Sequence, residues 1–418
     1  MIRLSWRNIW RNRRRSIITI SSVFFAVFFS SVMYSYMEGM WGQMIANTLK
    51  VQSGHIEIHE KGYWDDKALD NFMAMDSATI EALRAVDNVE NVSPRMETFA
   101  LASLGAATKG AAIMGVSPLQ EDRKSKLAAH LIDGAYLSET DDGVLLAEGL
   151  AEYLQAATGD TIALIGQGHF GASAAGLFPV RGILRFSITE MNNNFCYMPL
   201  AAAQSFINMT NGYSGVLISL KEDKNIGQTM QETAQIISGT PEDNPHTLHT
   251  NGDVLSAGNY EVMSWHFTMR RLLQTAASDK AFSKVVLWIL YLIVGFGMLG
   301  TVIMLTNERK REFRTMISIG MQRGKLAAVV SLELVLTSSL GIALGVALAY
   351  PVAFYFHANP IRITGEMAAM FNDMGMEPVI PFSVEPVIFV KQIIIILALS
   401  ALTMIYPARK IRKLKCGA

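Results

Sequence analysis

Residues 285–326 read VVLWILYLIVGFGMLGTVIMLTNERKREFRTMISIGMQRGKL. Residues 285–306 carry no charge. At about 1.5 Å per helical residue they are long enough to cross a hydrocarbon core of about 30 Å. The next stretch, 307–325, abruptly carries Arg309, Lys310, Arg311, Arg314, Arg323 and Lys325. A second apolar run, 326–356, follows at once, so the whole reads as two membrane spans joined by a basic turn. Within that turn Phe313, Met316, Ile317 and Gly320 fall on one side of a short helix and the charges on the other. A short amphipathic helix lying along the membrane between two spans is a handle on which a cytosolic motor can push.

Two more runs of spanning length lie outward of this stretch, at 16–37 and 386–407. The second carries Lys391 and Gln392 near its start, where such side chains snorkel to the interface. The chain is 50% hydrophobic, which suits a membrane protein. Its net charge of zero conceals a polarity. The segments 1–15, 307–325 and 408–418 together hold seventeen basic residues and two acids, Glu308 and Glu312. The long segment 38–284 holds seventeen basic residues against 29 acids. The positive-inside rule therefore puts both termini and the 307–325 turn in the cytoplasm, and 38–284 on the far side. The basic face beside anionic lipid also suits docking of a cytosolic partner.

The arginine-rich start fits a signal peptide, but the apolar run is too long and no small-x-small site follows it, so the first span reads as a retained anchor. Residues 1–15 read as an interfacial helix, with Ile2, Trp6, Ile9 and Trp10 opposite arginines. Cys196 and Cys416 fall on opposite sides of the membrane and cannot pair. The outer segment alternates strands and helices. Strands are expected at Ser53–His59, within 92–116, and at Thr161–Ile165, Pro179–Leu184, Phe195–Met198 and Gly215–Leu220. Helices are expected at Ala78–Val86, Ala147–Ala156, Leu200–Ile207 and Ile226–Ile237. Residues 38–50 and Asn259–Lys284 read as helices that continue the first two spans outward as stalks. The third span carries a GxxxG pair, Gly341 and Gly345, which suits close helix packing within one chain or between subunits.

No enzyme constellation stands out. There is no G-x-x-x-x-G-K-[ST], no G-x-S-x-G and no H-E-x-x-H. His55, Glu57 and His59 share one strand face and could ligate a metal, but a solvated strand face is the simpler reading. His246 and His249 in their Pro- and Asp-rich loop are weaker still. Met367, Met370, Met374 and Met376 offer thioethers, and a flexible apolar contact surface explains them better than Cu(I). The expectation is a non-catalytic chain with no metal and no cofactor of its own. Nothing points to nucleic acid.

The turn and the segments around it resemble the FtsX/MacB/Lol group of ABC permeases. Arg311, Glu312, Arg314, Gly320 and Glu333 match that group's coupling helix and intramembrane acid, with a departure at Ser318, where a basic residue is common. Seven further segments match in order: Ile132–Leu137 (IDGAYL), Val144–Leu154 (VLLAEGLAEYL), Thr158–Leu164 (TGDTIAL), Phe178–Ile183 (FPVRGI), Met198–Gln204 (MPLAAAQ), Val262–Trp265 (VMSW) and Tyr406–Leu414 (YPARKIRKL). The resemblance implies an α+β membrane protein. Four transmembrane helices would carry a large two-lobed extracytoplasmic MacB-like periplasmic core domain inserted between helices 1 and 2. The layout is then 1–15 basic helix, 16–37 first span, 38–284 core domain with stalks and an inserted lobe at about 115–215, 285–306 second span, 307–325 coupling helix, 326–356 third span, 357–385 short periplasmic loop, 386–407 fourth span and 408–418 tail.

The resemblance also implies roles. Glu308, Arg311, Glu312, Phe313, Arg314, Met316, Ile317 and Gly320 would couple to a cytosolic ABC ATPase dimer, which would hold ATP and Mg. The partner permease would be a copy or a paralogue. An acid inside a span is functional by default, and Glu333 is expected to pair with Arg314 or Arg323. The lipoprotein-releasing branch is closest: the chain has no fused ATPase, and Gly54–Ile58 (GHIEI) is similar to that branch. A carrier-docking loop of that branch falls at Gly166–Leu177, with Gly166, His169, Phe170 and Phe178 as candidate contacts, although a plain hairpin also fits. The implied function is release of lipoproteins from the bacterial inner membrane to a periplasmic carrier. Alternatives are MacB-like export of a peptide or small molecule through an adaptor, and FtsX-like signalling to a cell-wall hydrolase.

Overall fold

The computed structural model describes residues 6, 9–11, 13–51, 53–66, 71–186, 188–209, 212–238, 246–247, 252–373 and 378–413. The expectations for Ile2, Arg3, Arg7, His249, Met374, Met376, Leu414, Lys415 and Cys416 lie outside those residues. The chain divides into two compact units. One comprises Met1–Gln43, Thr275–Arg362 and Val379–Ala418, the other Met44–Gln274 and Ile363–Pro378.

In chain order, the elements begin with α1 (Arg13–Val51), β1 (Ile56–Glu60), α2 (Ser77–Arg84), β2 (Val89–Leu104), β3 (Ala107–Val116) and α3 (Pro118–Ser125). Then come β4 (Leu131–Gly134), β5 (Val144–Ala147), α4 (Glu148–Leu154), β6 (Thr161–Gln167), β7 (Ser173–Leu184), β8 (Phe195–Pro199) and α5 (Leu200–Phe206). The folded unit continues with β9 (Gly215–Leu220), α6 (Ile226–Ser238), β10 (His246–Thr247), β11 (Val254–Ala257) and β12 (Tyr260–Ser264). The last elements are α7 (Arg270–Glu308), α8 (Lys310–Ser318), α9 (Arg323–Ala358), α10 (Pro386–Thr403) and α11 (Ile405–Arg412).

The folded unit is organised on one twelve-stranded sheet of order β10-β11-β12-β1-β9-β2-β3-β8-β5-β7-β4, with β6 bridging β2 and β7. Its spine is the long β2–β3 hairpin, paired from Arg95↔Val116 to Leu104↔Ala107. Gly105 turns that hairpin at φ +59°, a conformation that costs glycine little. Separate apolar clusters form along the sheet. Ile56, Ile58, Val92, Val216, Ile218 and Val262 pack under α2 and α6. Ile113, Leu146, Leu150, Leu154, Ile162 and Leu164 pack farther along, with α4. Each fully buried aliphatic side chain of this kind stabilises by about 1.5–3 kcal/mol. Asp76 caps α2 by accepting from the Thr79 N–H at 2.9 Å.

One expected helix is corrected. Asn259–Lys284 is not helical from its start, because Tyr260–Ser264 is β12, paired with β11 and with β1 from Ile56↔Ser264 to Glu60↔Tyr260. The cause is visible in the chain: Gly258-Asn259 is a two-residue hairpin turn, with Gly258 at φ +61°. The edge of β1 then takes β12, and the long helix starts only at Arg270.

Among the described residues, four helices are long and apolar enough to cross a membrane: Ser16–Lys50, Arg270–Glu308, Arg323–Ala358 and Pro386–Arg412. Gly341 and Gly345 pack α9 against α1. A Cβ on Gly341 would lie 2.7 Å from Val23 Cβ, and one on Gly345 2.8 Å from Val27 Cβ. Only a residue without a Cβ lets these backbones approach so closely. Tyr291 of α7 donates to Gln392 of α10. Lys280 of α7 pairs with Glu38 of α1 at 2.6 Å.

Candidate functional site

The basic ends of the apolar helices enclose a buried ion pair. α7 breaks at Arg309, and α8 begins at Lys310. The break turns Arg309 inward, where Nη1 donates to Glu333 Oε2 of α9 at 2.8 Å and Nε to Glu312 Oε2 at 3.2 Å. Arg309 and Glu333 are both buried, while Glu312 is exposed and also accepts from Arg11 at 3.0 Å. The Arg309 guanidinium lies over the Phe313 ring at 5.4 Å. Thr19 and Thr337 line the same space, which encloses about 20 Å³, room for one water. The partner of Glu333 is therefore Arg309. Neither Arg314 nor Arg323 takes that place: Arg314 is exposed, and Arg323 donates to the Arg412 carbonyl at 3.2 Å. Arg309 wins because it sits at the helix break, one buried turn ahead of the exposed arginines.

The apolar side of α8 faces the chain, where a partner was expected. Phe313 is 1% exposed and packs with Leu326, Ala327, Val330 and Ile411, and Met316 and Ile317 pack against the same cluster. Phe313 is thus a wedge that ties α8 to α9 and α11. The outward side offers Glu308, Arg311, Arg314 and, at 82% exposure, Ile319. Gly320 ends the segment at φ +102°, which favours glycine.

At the opposite end of α1 and α7, Met33, Tyr36, Met37 and Met40 face Asp279, Phe282 and Ser283 across a pocket of about 310 Å³. Trp41 closes it, its indole N–H buried without an acceptor among the described residues. Sequence reasoning missed this pocket. Its signal was the Met33, Met37, Met40 spacing, which lines one helix face with soft, adaptable side chains.

In the folded unit the Gly166–Leu177 segment is a tight hairpin. β6 and β7 pair from Thr161↔Pro179 to Gln167↔Ser173, and the Gly168 N–H closes the turn on the Ala172 carbonyl at 2.6 Å. Gly166 lies where β2 comes close, since a Cβ there would meet the Phe99 carbonyl oxygen at 2.9 Å. Phe178 points inward, edge-on to Phe206 at 5.7 Å. His169 and Phe170 occupy the tip, their rings 3.9 Å apart, with Phe170 at φ +52° and 80% exposed. Beside the tip, Phe99, Leu101, Ile165 and Leu177 are all exposed; Leu101 opposes Ile165 on one face. Together these exposed apolar side chains form a patch beside the hairpin tip.

Glu57 and His59 do not form a solvated strand face. Both are buried: His59 Nε2 meets Glu57 Oε2 at 3.1 Å, Ser53 donates to Glu57, and His59 Nδ1 meets the Ser214 carbonyl at 2.8 Å. Burial opposes charge on both. The pairing overrides it, holding Glu57 below and His59 above their ordinary ranges. The Tyr63 ring stacks on His59 at 5.1 Å and covers that face. His55 instead accepts from the Leu220 N–H at 3.1 Å. Nearby, Arg95 donates to both oxygens of Glu121, at 2.9 and 3.0 Å. Lys124, one turn along α3, has a partly exposed stem but buries Nζ with no hydrogen-bond partner among the described residues. Burial, reinforced by the Arg95 charge, pushes its pKa down to about 7.

Residues 16–236 match the family described as the MacB-like periplasmic core domain, and 284–416 match the FtsX-like permease C-terminal family. The chain belongs to the FtsX/MacB/Lol-type family of ABC transporter permeases. Over 342 residues it is 21% identical to the lipoprotein-releasing system transmembrane protein LolE of Haemophilus influenzae, covering 78% of this chain and 76% of that protein. Among solved structures it is similar to the periplasmic region of MacB from Actinobacillus actinomycetemcomitans, with 13% identity, a TM-score of 0.38 and coverage of 56% of this chain and 98% of that one. It is also similar to the extracellular domain of the ABC-type transporter YknZ from Gram-positive bacteria, with 17% identity, a TM-score of 0.35 and coverage of 50% and 99%. Membership implies an ABC ATPase partner and pairing with a second permease. Together with four apolar helices it points to a bacterial inner-membrane protein.

Proposed function

We propose that this permease releases lipoproteins from the inner membrane to a periplasmic carrier, driven by a separate ATPase that holds ATP and Mg. The observation that carries the reading is the methionine-lined pocket between α1 and α7, at the end of those helices opposite their arginines. With the basic ends in the cytoplasm, as the positive-inside rule has it, the pocket lies at the outer edge of the membrane, beside the leaflet where lipoprotein acyl chains reside. Thioether side chains adapt to flexible chains. The likeness to LolE supports the same reading.

In this reading 38–284 is periplasmic and the lobe at about 115–215 moves with the stalks. α1 runs on to Val51 and α7 begins at Arg270, so both helices extend well beyond their apolar cores. The ATPase would bear on the outward side of α8, and Phe313 would carry that push into α9 and α11. The patch of Phe99, Leu101, Ile165 and Leu177, with Phe170 at the hairpin tip, would receive the carrier. MacB-like export would use the same patch for an adaptor, but a pocket walled by three methionines, Trp41 and Phe282 suits acyl chains better than a peptide. FtsX-like signalling would need no pocket.

The test is reconstitution of the permease with its ATPase and a lipoprotein in liposomes. ATP-dependent appearance of lipoprotein on a soluble carrier is expected, with loss of transfer but retained ATP hydrolysis in Met37→Trp. ATP hydrolysis without transfer in the native complex would sink the reading.

A further inference from the structure

A second groove runs between α7 and the α10–α11 pair, on the face away from the pocket described above. Its volume is about 700 Å³, within the range of small-molecule sites. Its walls are apolar: Leu292 and Phe296 of α7, and Leu402 and Ile405 of the α10–α11 segment, all exposed. Gly295 lets the Leu399 side chain approach to about van der Waals contact at the groove's inner end. The other end is lined by Arg409, Lys410 and Lys413, and no acid lines the groove. Lys410 is fastened, donating to Asn307 at 2.7 Å and to the Tyr406 hydroxyl at 2.8 Å. Arg409 and Lys413 are exposed, and among the described residues neither side chain has an ion-pair partner.

The dimensions fit one leaflet. Leu399 and Arg409 are ten residues apart, about 15 Å along a helix, and half a hydrocarbon core is also about 15 Å. Greasy walls one leaflet deep that end in cations with no ion-pair partner among the described residues are complementary to a diacyl lipid with an anionic headgroup. The positive-inside rule explains cations at this end, but not their convergence on a groove of this depth. We propose that this groove is a binding site for an anionic phospholipid, its acyl chain against Phe296 and Leu402 and its phosphate on Arg409 and Lys413. The site requires only that the lipid belong to the leaflet bordering the basic helix ends, so it stands apart from lipoprotein release.

The full-length permease is purified from membranes, exchanged into nanodiscs of equal phosphatidylglycerol and phosphatidylcholine, and its retained lipid quantified by native mass spectrometry. Phosphatidylglycerol is expected at about tenfold preference, falling to parity in Arg409→Gln/Lys413→Gln. The conservative Arg409→Lys/Lys413→Arg keeps the preference. Leu402→Trp, which crowds the wall, lowers retention of the lipid at unchanged thermal stability. Equal retention of the two lipids by the native chain overturns the proposal. So does retention unchanged in both the charge and the wall variants, or displacement by millimolar inorganic phosphate. A disulfide between two copies through Phe296→Cys in native membranes would assign the groove to a second permease and overturn it as well.

Discussion

Both units bury charge, and they do so differently. In the membrane-spanning unit Arg309 meets Glu333 and Glu312, so the buried cation and the buried acid are matched. In the folded unit Glu57–His59 and Arg95–Glu121 are matched too, but Lys124 Nζ lies buried beside them with no hydrogen bond among the described residues. Packed between helices with room for at most one water, the Arg309–Glu333 pair has little solvent to stand in for a lost partner. A sheet domain in water tolerates an unsatisfied charge, since the lysine can shed its proton. The membrane pair therefore depends on its partner, whereas the lysine depends on pH.

The largest effect is expected from breaking the membrane pair. Glu333→Ala leaves the buried Arg309 with only the exposed Glu312 for a partner, at a cost of up to about 3–5 kcal/mol. It should abolish stable expression or lower the melting temperature of the purified permease sharply. The double variant Arg309→Leu/Glu333→Leu should recover most of that loss, because it removes both charges. A single variant that melts like the native chain would show that the pair is solvated, and the comparison would fail.

Packing in the same bundle offers a smaller test that involves no charge. Gly341→Val sets a Cβ 2.7 Å from Val23 Cβ. Overpacking of this kind costs about 1–3 kcal/mol. Val23→Ala should recover part of it, because the Val23 methyl that would lie 2.9 Å from that Cβ is then gone. Unchanged stability in Gly341→Val would place α9 farther from α1 than described.

What the sequence made legible follows the same division. Apolar runs and arginine clusters identify the spans because their physics is local: length against hydrocarbon thickness, and charge against leaflet. The partner of Glu333 was not local. It depended on where α7 breaks, and Arg309 looked like one more basic residue in a run of them. Phe313 stood out as apolar, but periodicity alone does not say whether a helix turns its greasy side toward its own chain or toward another. Tyr260–Ser264 reads as helix because it precedes a long helix, although Gly258-Asn259 announces a hairpin. Burial of Glu57 and His59 comes from groups the fold brings onto that face, the Tyr63 ring stacked on His59 and the Ser214 carbonyl at its Nδ1, contacts that no spacing in 55–59 reveals. The methionine pocket needed two helices, of which the sequence displayed only one face.

Glu57→Gln sharpens the comparison from the folded side. Glu57 is held below its ordinary 4.5, so its contribution is present above that pH and lost as pH falls. His59 is held above its ordinary 6.5, so its contribution is full below 6.5 and lost as pH rises through its raised value. The pair is therefore strongest between those limits. The variant should cost about 1–3 kcal/mol there, read as faster hydrogen exchange in β1 and β12 of the purified permease. At higher pH, with His59 neutral, the difference should narrow. A penalty that does not change with pH would show that Glu57 acts through Ser53 alone.

The smallest effect has the opposite sign. Lys124 has a pKa depressed from 10.5 to about 7 by burial and by the Arg95 charge. Between those values the unfolded chain binds a proton that the folded chain does not, so the folded unit gains stability as pH rises through that window. Below it the lysine is charged in both states, and the folded chain carries the full cost of burying it. Lys124→Met removes that cost and keeps the stem. It should stabilise the unit by roughly 1–2 kcal/mol at neutral pH and below, after allowance for the lost attraction to Glu57 and Glu121, with the gain fading as pH rises toward 10.5. Melting curves of the native and variant permease at several pH values read this directly. A variant less stable than the native chain at pH 6 would mean that Lys124 serves as a paired cation. The folded unit would then obey the same rule of matched charge as the membrane bundle.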